Sequence, residues 1–484
     1  MRIGSLFYLL LFICSSSCID NQPVEKIETD VCIIGAGSAG IGAALGAARS
    51  GAEVIIIEKE NKVGGTSVQS YVNSWEPGPG CSFSREIYHR LPSSAKGVAG
   101  QVHSYHKNEP YGLFLVSPRL TYNHTLRRSD LDVETQTACV VFDVIEFDRT
   151  VRQMLEETGK CNLMLNTAFV DAKAIAGEIK YIEAISSTGQ KYQVSASVFI
   201  DCSGGAYVCR NVGCEIMLGE ESSARFGEPS APEVPEKSLN AISLCYQIKP
   251  ANNPAPSDKV LKADPDLHVV AHVAGPVGPE QKLTVNPLGI IEGMAIIDQD
   301  ADEVYEYGKD LVDQHWASLH TYPHFKDYEF DSYAPRLGIR ESYRVACRYI
   351  LTQKDLLDGL SVQKHKDIIT LADHPMDLHG ENSKLKILKE AYGVPYRCLI
   401  PEGYDNLLVA GRGAGFSHIA ASSCRLSRTM MSLGHAAGIA AWICASENRA
   451  VWDVPVQRVK AEMDLRLRPK DNLSVDPLPI QYLY

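Results

Sequence analysis

The feature that most constrains this chain is a glycine-rich turn between two short apolar runs. Residues 35–40 read GAGSAG and directly follow the apolar run Val31 to Ile34. An alanine-rich stretch comes next and ends at Gly51, and a second apolar run, Val54 to Ile57, ends at Glu58. Buried parallel strands are typically short and fully apolar, and glycine is common directly after a helix. The pattern therefore predicts a strand, a tight turn, a helix and a second strand parallel to the first.

The glycines of this turn have the spacing that dinucleotide binding requires. Gly35 permits the tight turn, Gly37 lets the backbone approach a pyrophosphate, and Gly40 lets the helix pack closely on the strand. Ser38 and Ala39 open the helix, whose N-terminus offers free N–H groups and a partial positive charge to phosphate. The alternative is a glycine turn without a ligand, and the complete strand–turn–helix–strand context argues against it.

The residues after the second strand indicate FAD rather than NAD. Glu58 is placed to accept hydrogen bonds from the ribose hydroxyls, with Lys59 beside it. Gly64-Gly65-Thr66 then supplies a second glycine turn near the pyrophosphate. Flavoproteins with this arrangement commonly carry such a turn, whereas simple NAD dehydrogenases do not. The sequence therefore predicts FAD as the cofactor.

The chain resembles the FAD-dependent oxidoreductases that have a glutathione-reductase type of FAD domain, in the subgroup related to the heterodisulfide reductase flavin subunit. The resemblance covers most of the chain, and its further blocks are Phe199 to Gly204, Gly227 to Pro229, Gly338 to Ser342, Pro395 to Arg397, Asn406 to Arg412 and Gly434 to Gly438. The chain departs from the family in two respects. Cys202-Ser203-Gly204-Gly205 replaces the usual Ala-Thr-Gly-Asp, and the four-cysteine iron–sulfur motifs of the heterodisulfide reductase relatives are absent.

This resemblance implies further contacts to FAD. They are Ala168 to Val170 near the adenine, Ser203 and Gly204 at the pyrophosphate, and Gly411 and Arg412 at the ribityl chain. A long helix starting near Arg425 should point its N-terminus at the flavin pyrimidine ring, where a positive dipole favours the anionic reduced flavin. Gly434 and Gly438, inside that helix, are interpreted as helix-packing positions.

Four side chains in or near the family-like blocks are candidate catalytic residues. Arg340 and Arg397 could anchor an anionic or polar substrate. His379 and His418 could exchange a proton as hydride leaves or reaches the flavin. The alternative for each is a surface ion pair or a structural histidine. No metal is predicted, because the acidic and histidine residues near His379 lack a further ligand at recognisable spacing.

The predicted fold class is α/β: a discontinuous Rossmann-like FAD-binding fold with an inserted α+β substrate domain. The predicted segments are a first FAD-binding part at 30–214 with a covering insertion near 75–128, a substrate domain at 215–390, a second FAD-binding part at 391–450, and a C-terminal helix and tail at 451–484. Within them we expect a helix from Asp148 as N-cap, strands at 163–170, 179–185 and 192–200, and a long helix at 425–445.

The N-terminus has the pattern of an exported bacterial lipoprotein. Residues 1–18 combine Arg2, a short apolar run and small residues before Cys18, which predicts a signal peptide with Cys18 as the lipidated residue and the only membrane anchor. Residues 19–29 are predicted to be a linker. The alternative is cleavage nearby and release of a soluble protein. The formal charge of −12 argues against nucleic acid as a partner.

These observations lead to one functional hypothesis and two rivals. The chain is expected to transfer a hydride between a small polar substrate, such as a sugar, alcohol or acid, and flavin N5. Electrons would then pass to an unidentified second acceptor. No second complete glycine motif and no C-x-x-C occur in the sequence, which argues against a pyridine-nucleotide disulfide reductase. The rivals are a catalytically degenerate FAD-binding lipoprotein, favoured by the departure at Cys202 to Gly205, and a flavin enzyme without net redox change, such as an isomerase.

Overall fold

The computed structural model describes residues 23–75, 82–102, 113–114, 139–252, 271–321, 325–379 and 384–467. In chain order the strands are β1 (Glu25–Ile34), β2 (Val54–Ile57), β3 (Ser74–Trp75), β4 (Lys96–Val102), β5 (Leu113–Phe114), β6 (Cys139–Phe142), β7 (Cys161–Met164), β8 (Thr167–Ile175), β9 (Glu178–Ser186), β10 (Lys191–Asp201), β11 (Ile216–Met217), β12 (Tyr246–Pro250), β13 (Ala271–Val277), β14 (Lys282–Asn286), β15 (Tyr328–Tyr333), β16 (Arg344–Val345), β17 (Ile368–Ala372), β18 (Met376–Leu378), β19 (Lys384–Lys386), β20 (Tyr392–Pro395) and β21 (Leu407–Val409). The helices are α1 (Ser38–Ser50), α2 (Thr66–Gln69), α3 (Ser84–Arg90), α4 (Val144–Glu156), α5 (Tyr207–Asn211), α6 (Ser223–Phe226), α7 (Ala295–Asp298), α8 (Ala301–His320), α9 (Gln353–Val362), α10 (His418–Ser423), α11 (Ser427–Glu447) and α12 (Val456–Leu467).

The first sheet contains the predicted strand–turn–helix–strand unit. Its order is β7-β2-β1-β10-β9-β8, and β21 pairs with the second half of β10. The pairs β7–β2, β2–β1, β1–β10 and β10–β21 are parallel, while β8, β9 and the first half of β10 form an antiparallel meander. Helix α1 ends at Gly51, which has a left-handed φ of 116° and caps the helix with its backbone N–H. The predicted α/β class and the Rossmann-like unit are therefore confirmed.

Two element boundaries differ from the sequence prediction. Strand β1 begins at Glu25 and pairs with Tyr192 at that residue, so residues 25–29 belong to the sheet and not to the linker predicted for 19–29. The strand predicted at 163–170 is two strands, because Asn166 adopts a left-handed φ of 51° and turns the chain between β7 and β8.

Helix α4 also begins earlier than predicted. Asp143, not Asp148, caps its N-terminus, since the Asp143 side chain accepts hydrogen bonds from the N–H groups of Ile145 and Glu146. Asp148 lies one turn inside the helix, where its carboxylate accepts from the backbone N–H of Val63 at 2.8 Å and from Arg152 at 3.0 Å. The amphipathic pattern located the helix, but the choice between two nearby aspartates depended on a contact with a distant loop.

The second sheet joins strands from two distant parts of the chain. Its order is β15-β12-β14-β13-β4-β6-β3, with β5 paired to β4. Strands β3 to β5 lie in or beside the covering insertion predicted near 75–128, whose remaining residues lie largely outside the described ranges. Helix α8 covers this sheet and buries Val312, Trp316 and Leu319 against Tyr246. The described part of the insertion is therefore largely regular structure: β4 and β5 belong to the second sheet, while α3 packs into the core beneath the first sheet.

Helix α11 packs against α1 over the first sheet. A Cβ built on Gly434 would lie 1.8 Å from the Ala39 carbonyl oxygen, and one on Gly438 would lie 2.0 Å from that of Ala43. The two helices therefore touch backbone to backbone, which confirms the packing role predicted for both glycines.

None of the helices in the described ranges has the length and hydrophobicity of a membrane-spanning helix.

Candidate functional site

A cavity of about 1000 Å³ lies between the two sheets. On one side it is lined by the turns that follow β1, β2, β10 and β21, and on the other by residues that follow β14 and β15. The crevice at the carboxyl ends of parallel strands is where open α/β sheets bind ligands. Its volume is at the upper end of the usual range for small-molecule sites, about 300–1000 Å³.

The geometry of the first glycine turn requires glycine at two of its three glycine positions. Gly35 has a left-handed φ of 98°, and a Cβ there would lie 2.6 Å from the carbonyl oxygen of Cys202. A Cβ on Gly40 would lie 1.9 Å from the Gly35 carbonyl oxygen, so this glycine is required for packing behind the turn. Gly37 differs, since its φ is an ordinary −72° and the nearest atom to its Cβ position, the Cα of Gly65, is 3.9 Å away. The open side of Gly37 belongs to the cavity wall.

Helix α1 presents an uncapped N-terminus to this wall. Its N-cap Gly37 has no side chain to cap the helix, and its first turn contains no acidic residue. The free N–H groups and the helix dipole there favour an anionic ligand. Glu58 lies beside the turn, where its carboxylate accepts hydrogen bonds from Ala36 N at 2.6 Å and Glu60 N at 2.9 Å. Burial raises the pKa of Glu58, although both backbone N–H groups oppose the rise.

Arg412 supplies a buried positive charge on the same side of the cavity. Its guanidinium packs on Gly204, where a Cβ would lie 3.0 Å from Nη2. Among the described residues its Nε atom has no hydrogen-bond partner, and burial lowers the pKa of the side chain. A buried cation with an unsatisfied donor is costly unless an anion joins it. The open glycine turns, the helix N-terminus and Arg412 therefore fit the diphosphate of FAD.

Most of the predicted cofactor residues meet at this cavity. Those that line it are Gly35, Gly37, Ser38, Ala39, Glu58, Lys59, Gly65, Thr66, Ser203, Gly204, Gly411, Arg412 and Arg425. Gly40 and Gly64 lie behind the lining turns, where a Cβ would collide with Gly35 and Val68 respectively. Val170 does not line the cavity and is 53% exposed, so its position on β8 gives no support to an adenine contact.

A second cluster of charged side chains also lines the cavity. Asp377 accepts hydrogen bonds from His379 Nε2 and from Arg425 Nη2, both at 2.8 Å. These contacts hold the pKa of Asp377 well below its ordinary value despite burial. Arg340 donates through Nη1 to the Ala241 carbonyl at 2.7 Å and to Ser243 Oγ at 2.9 Å.

Gly289 brings Arg340 and His379 together. A Cβ on Gly289 would lie 3.6 Å from the Cβ of His379 and 3.7 Å from Arg340 Nη1. Burial lowers the pKa of His379, and Arg340 and Arg425 act in the same direction. Burial and the nearby Arg425 also lower the pKa of Arg340 to about 10, so Arg340 stays charged at neutral pH. The cluster thus combines a neutral histidine, an ionised carboxylate and two arginines.

The other two candidate catalytic residues lie away from the cavity. His418 is buried and binds Glu341 through Nδ1 at 2.9 Å. Burial disfavours its charge, but Glu341 outweighs burial and raises the pKa of His418. Arg397 forms a two-pronged ion pair with Asp367 at 2.9 and 3.1 Å and is 43% exposed. The positions of His418 and Arg397 therefore match the structural alternatives and do not support contact with substrate.

Asp377 is a site residue that sequence reasoning did not assign. It lies on β18, two positions before His379, and a spacing of two places side chains on the same face of an extended chain. That spacing was the available signal. Among the residues that the structure describes, no group of three or more His, Cys, Asp or Glu side chains is placed to hold a metal ion. His374 and Tyr305 also line the cavity, and neither was predicted to be a catalytic or cofactor-binding residue.

Comparison with known proteins gives a family match over most of the chain. The sequence profile of a family described as FAD dependent oxidoreductase matches residues 30–463. A relative, 4-oxocyclohex-2-ene-1-carboxylate 5-dehydrogenase of Sinomonas cyclohexanicum, is 38% identical over 84 residues, which are 17% of this chain and 12% of that protein. The alignment thus spans about an eighth of the length of that relative.

Three solved structures align with most of this chain at low sequence identity. They are a geranylgeranyl bacteriochlorophyll reductase-like protein of Thermoplasma acidophilum (12% identity, 91% of this chain and 83% of that chain, TM-score 0.47), a flavoprotein/dehydrogenase of Cytophaga hutchinsonii (14%, 90% and 84%, 0.45) and p-nitrophenol 4-monooxygenase of Pseudomonas putida (10%, 92% and 90%, 0.43).

Proposed function

Because this chain belongs to the FAD dependent oxidoreductase family, with FAD as its cofactor, we propose that it transfers a hydride between a small polar substrate and flavin N5. One observation carries the proposal. The Asp377–His379 pair, with Arg340 and Arg425, lines the same cavity as the two glycine turns and Arg412. An acid–base pair and an anion-binding cradle in one cavity suit a reaction in which a proton and a hydride leave the same molecule.

The hydrogen bonds of His379 determine which nitrogen can act. Asp377 is ionised and accepts, so His379 Nε2 carries the hydrogen that bonds it. The lone pair of the neutral ring is then on Nδ1. In substrate oxidation Nδ1 takes the proton of the substrate hydroxyl, and Asp377 stabilises the imidazolium that forms. In the reverse direction the same nitrogen returns the proton.

The remaining groups bind and orient. Arg340 is held by Ala241 and Ser243 and presents its guanidinium to the cavity, where it can hold a polar or anionic substrate group. Leu426, Ser427 and Arg428, at the start of α11, also line the cavity. The N-terminus of α11 has no side-chain cap and therefore adds a positive dipole. When bound, FAD would supply the two-electron acceptor, and a second acceptor such as oxygen, a quinone or another protein would be needed for turnover.

The test is an anaerobic absorbance spectrum of the purified holoprotein with a panel of sugars, alcohols, amines and acids. We expect the flavin bands to bleach with one chemical class, and substitution of His379 by Gln to slow bleaching by about 100-fold or more while FAD stays bound. Product analysis separates an oxidation from an isomerisation. Bands that no compound bleaches, in a protein that also lacks turnover with an added electron donor, would favour the degenerate FAD-binding alternative.

A further inference from the structure

Arg340 is a cation at the cavity whose charge is not matched locally. Among the described residues no carboxylate lies within ion-pair distance of its guanidinium, which donates hydrogen bonds to the Ala241 carbonyl and the Ser243 hydroxyl. The other arginines of this wall are matched, since Arg425 pairs with Asp377 and Arg428 with Asp373. A desolvated guanidinium gains most from an anionic partner that accepts hydrogen bonds from its planar fork.

The local charges define the partner's charge. Arg340 and Arg425 are positive, Asp377 is negative, and His379 is neutral at pH 7 because its pKa is lowered. The cluster therefore carries one net positive charge, which a monoanion neutralises. A carboxylate has this charge and the planar geometry of the guanidinium, whereas a phosphate monoester is close to a dianion at neutral pH.

An apolar wall adjoins this charge. Ile339 precedes Arg340 in the chain, and with Leu337 and Ile296 it packs against the buried Ile242 and Ile291. These three side chains are half-buried, and together with Ile297 and Leu288 they line the cavity. A site for a sugar would instead need hydrogen-bond donors and acceptors spread around the ligand.

Leu288, in this wall, has an unfavourable backbone conformation. Its φ is 52°, in the left-handed region, which a bulky residue rarely adopts. The Asn286 side chain accepts the backbone N–H of Leu288 at 3.0 Å, and Ser243 Oγ accepts that of Gly289 at 2.9 Å. Ser243 thus supports both Arg340 and the turn that carries Leu288. Strained positions tend to be kept where the side chain serves a ligand.

We propose that the substrate is an amphipathic carboxylic acid, with its carboxylate on Arg340 and its apolar body against Leu288, Leu337, Ile339 and Ile296. This inference rests on the proposed function and narrows its substrate class. In this arrangement the glycine turns and Arg412 bind the cofactor, whereas Arg340 binds the substrate.

The experiment measures binding of simple acids and their neutral amides to the FAD-loaded protein. Acetate, hexanoate and benzoate are titrated beside acetamide, hexanamide and benzamide, with the flavin absorbance shift and calorimetry as independent readouts. We expect each acid to bind about tenfold or more tightly than its amide. Hexanoate should also bind about tenfold or more tightly than acetate, because its longer chain reaches the apolar wall.

Two variants assign these preferences to residues. Arg340→Gln should abolish the preference for acid over amide and keep the dependence on chain length. Leu288→Asn should do the reverse, and asparagine tolerates the left-handed backbone at this position, so folding is not compromised. FAD content and the wild-type titrations keep the inference testable should either variant fail to fold.

The outcomes separate this inference from the proposed reaction. Tight acid binding without bleaching by any compound supports the acid site and contradicts hydride transfer. Bleaching by a neutral sugar, with acids binding no better than amides, supports hydride transfer and overturns the acid site. Equal affinity for acetate and hexanoate would also overturn it, because the wall would then serve only the flavin.

Discussion

At the residue scale, the surroundings of His379 suit the base role that we propose for it. Burial lowers its pKa first, then Arg340 and Arg425 lower it further, and Asp377 opposes them. The ring is active when it is neutral, and its lowered pKa keeps it neutral to a lower pH than an ordinary histidine. We therefore expect the rate constant for flavin reduction at low substrate concentration to rise with pH, with the midpoint of the rise below pH 6.5, the ordinary pKa of histidine. Stopped-flow measurements between about pH 5 and 8 will locate this limb.

Substitution Asp377→Asn tests the same pair from the other side. The amide removes the carboxylate that fixes the ring tautomer and stabilises the imidazolium, so flavin reduction should slow by about 100-fold or more with FAD still bound. Asp367→Asn is the matched control, because Asp367 also pairs with an arginine, Arg397, but away from the cavity. Equal losses in the two variants would mean that Asp377 has only a structural role.

The ionised Glu58 carboxylate is expected to strengthen FAD binding and to lower the stability of the apoprotein. Burial raises its pKa above the unfolded value, so ionised Glu58 costs stability at neutral pH before the ribose hydroxyls join it. Glu58→Gln keeps an acceptor for Ala36 N and removes the charge. We expect FAD to bind about tenfold or more weakly, from loss of charge-assisted hydrogen bonds, while the urea midpoint of the apoprotein is unchanged or higher.

The control for Glu58 is Glu53→Gln, at an exposed ion pair with Lys160 in the loop before β2. This variant should leave FAD affinity and stability close to those of the parent protein, because exposed pairs contribute little. A fall in the urea midpoint with Glu58→Gln would show that the carboxylate stabilises the fold itself.

At the scale of elements, the contact between α1 and α11 fixes the position of the phosphate-binding turn. Gly434→Ala would place a Cβ 1.8 Å from the Ala39 carbonyl, a backbone atom that cannot move aside by rotation. We expect a loss of about 1–3 kcal/mol in the free energy of unfolding, measured by urea denaturation.

Gly37→Ala should keep the free energy of unfolding near the parent value, since its Cβ has 3.9 Å of clearance, but should abolish FAD uptake. A Gly434→Ala variant as stable as the parent protein would contradict the close backbone contact between α1 and α11.

The same elements show what the sequence could specify. The apolar runs, the glycine turn and the helix end at Gly51 are local patterns, and β1, α1 and β2 formed where they predicted. The pairing of β4 with β13 joins residues more than 150 positions apart, and no local pattern encodes that partner. The predicted start of α4 was wrong for a related reason, because the Asp148 carboxylate accepts a hydrogen bond from the backbone N–H of the distant Val63.

At the scale of the whole molecule, the site lies where the two sheets face each other. Arg340 and Arg397 look equivalent in sequence, each inside a family-like block, yet only Arg340 lines the cavity. Arg397 instead pairs with Asp367 outside the cavity. The sequence around the two arginines does not distinguish them, because the cavity is lined by residues from distant parts of the chain.

The position of β1 sharpens the membrane prediction. We propose that Cys18, which lies outside the described residues, is the lipidated N-terminus of an exported protein. Strand β1 begins at Glu25, seven residues later, and a connection of that length spans at most about 25 Å. The flavin domain would therefore be held close to the membrane surface, near a lipid-soluble electron acceptor.

This proposal predicts incorporation of an alkyne-labelled fatty acid into the full-length chain expressed in a bacterium, with the protein in the membrane fraction. Cys18→Ser should lose the label and leave the protein unprocessed or released, because one thiol carries the anchor. Cys14→Ser is the matched control, since Cys14 lies within the same leader and should leave labelling unchanged. A soluble parent protein without label, or label that survives Cys18→Ser, would contradict the lipoprotein assignment and favour cleavage with release.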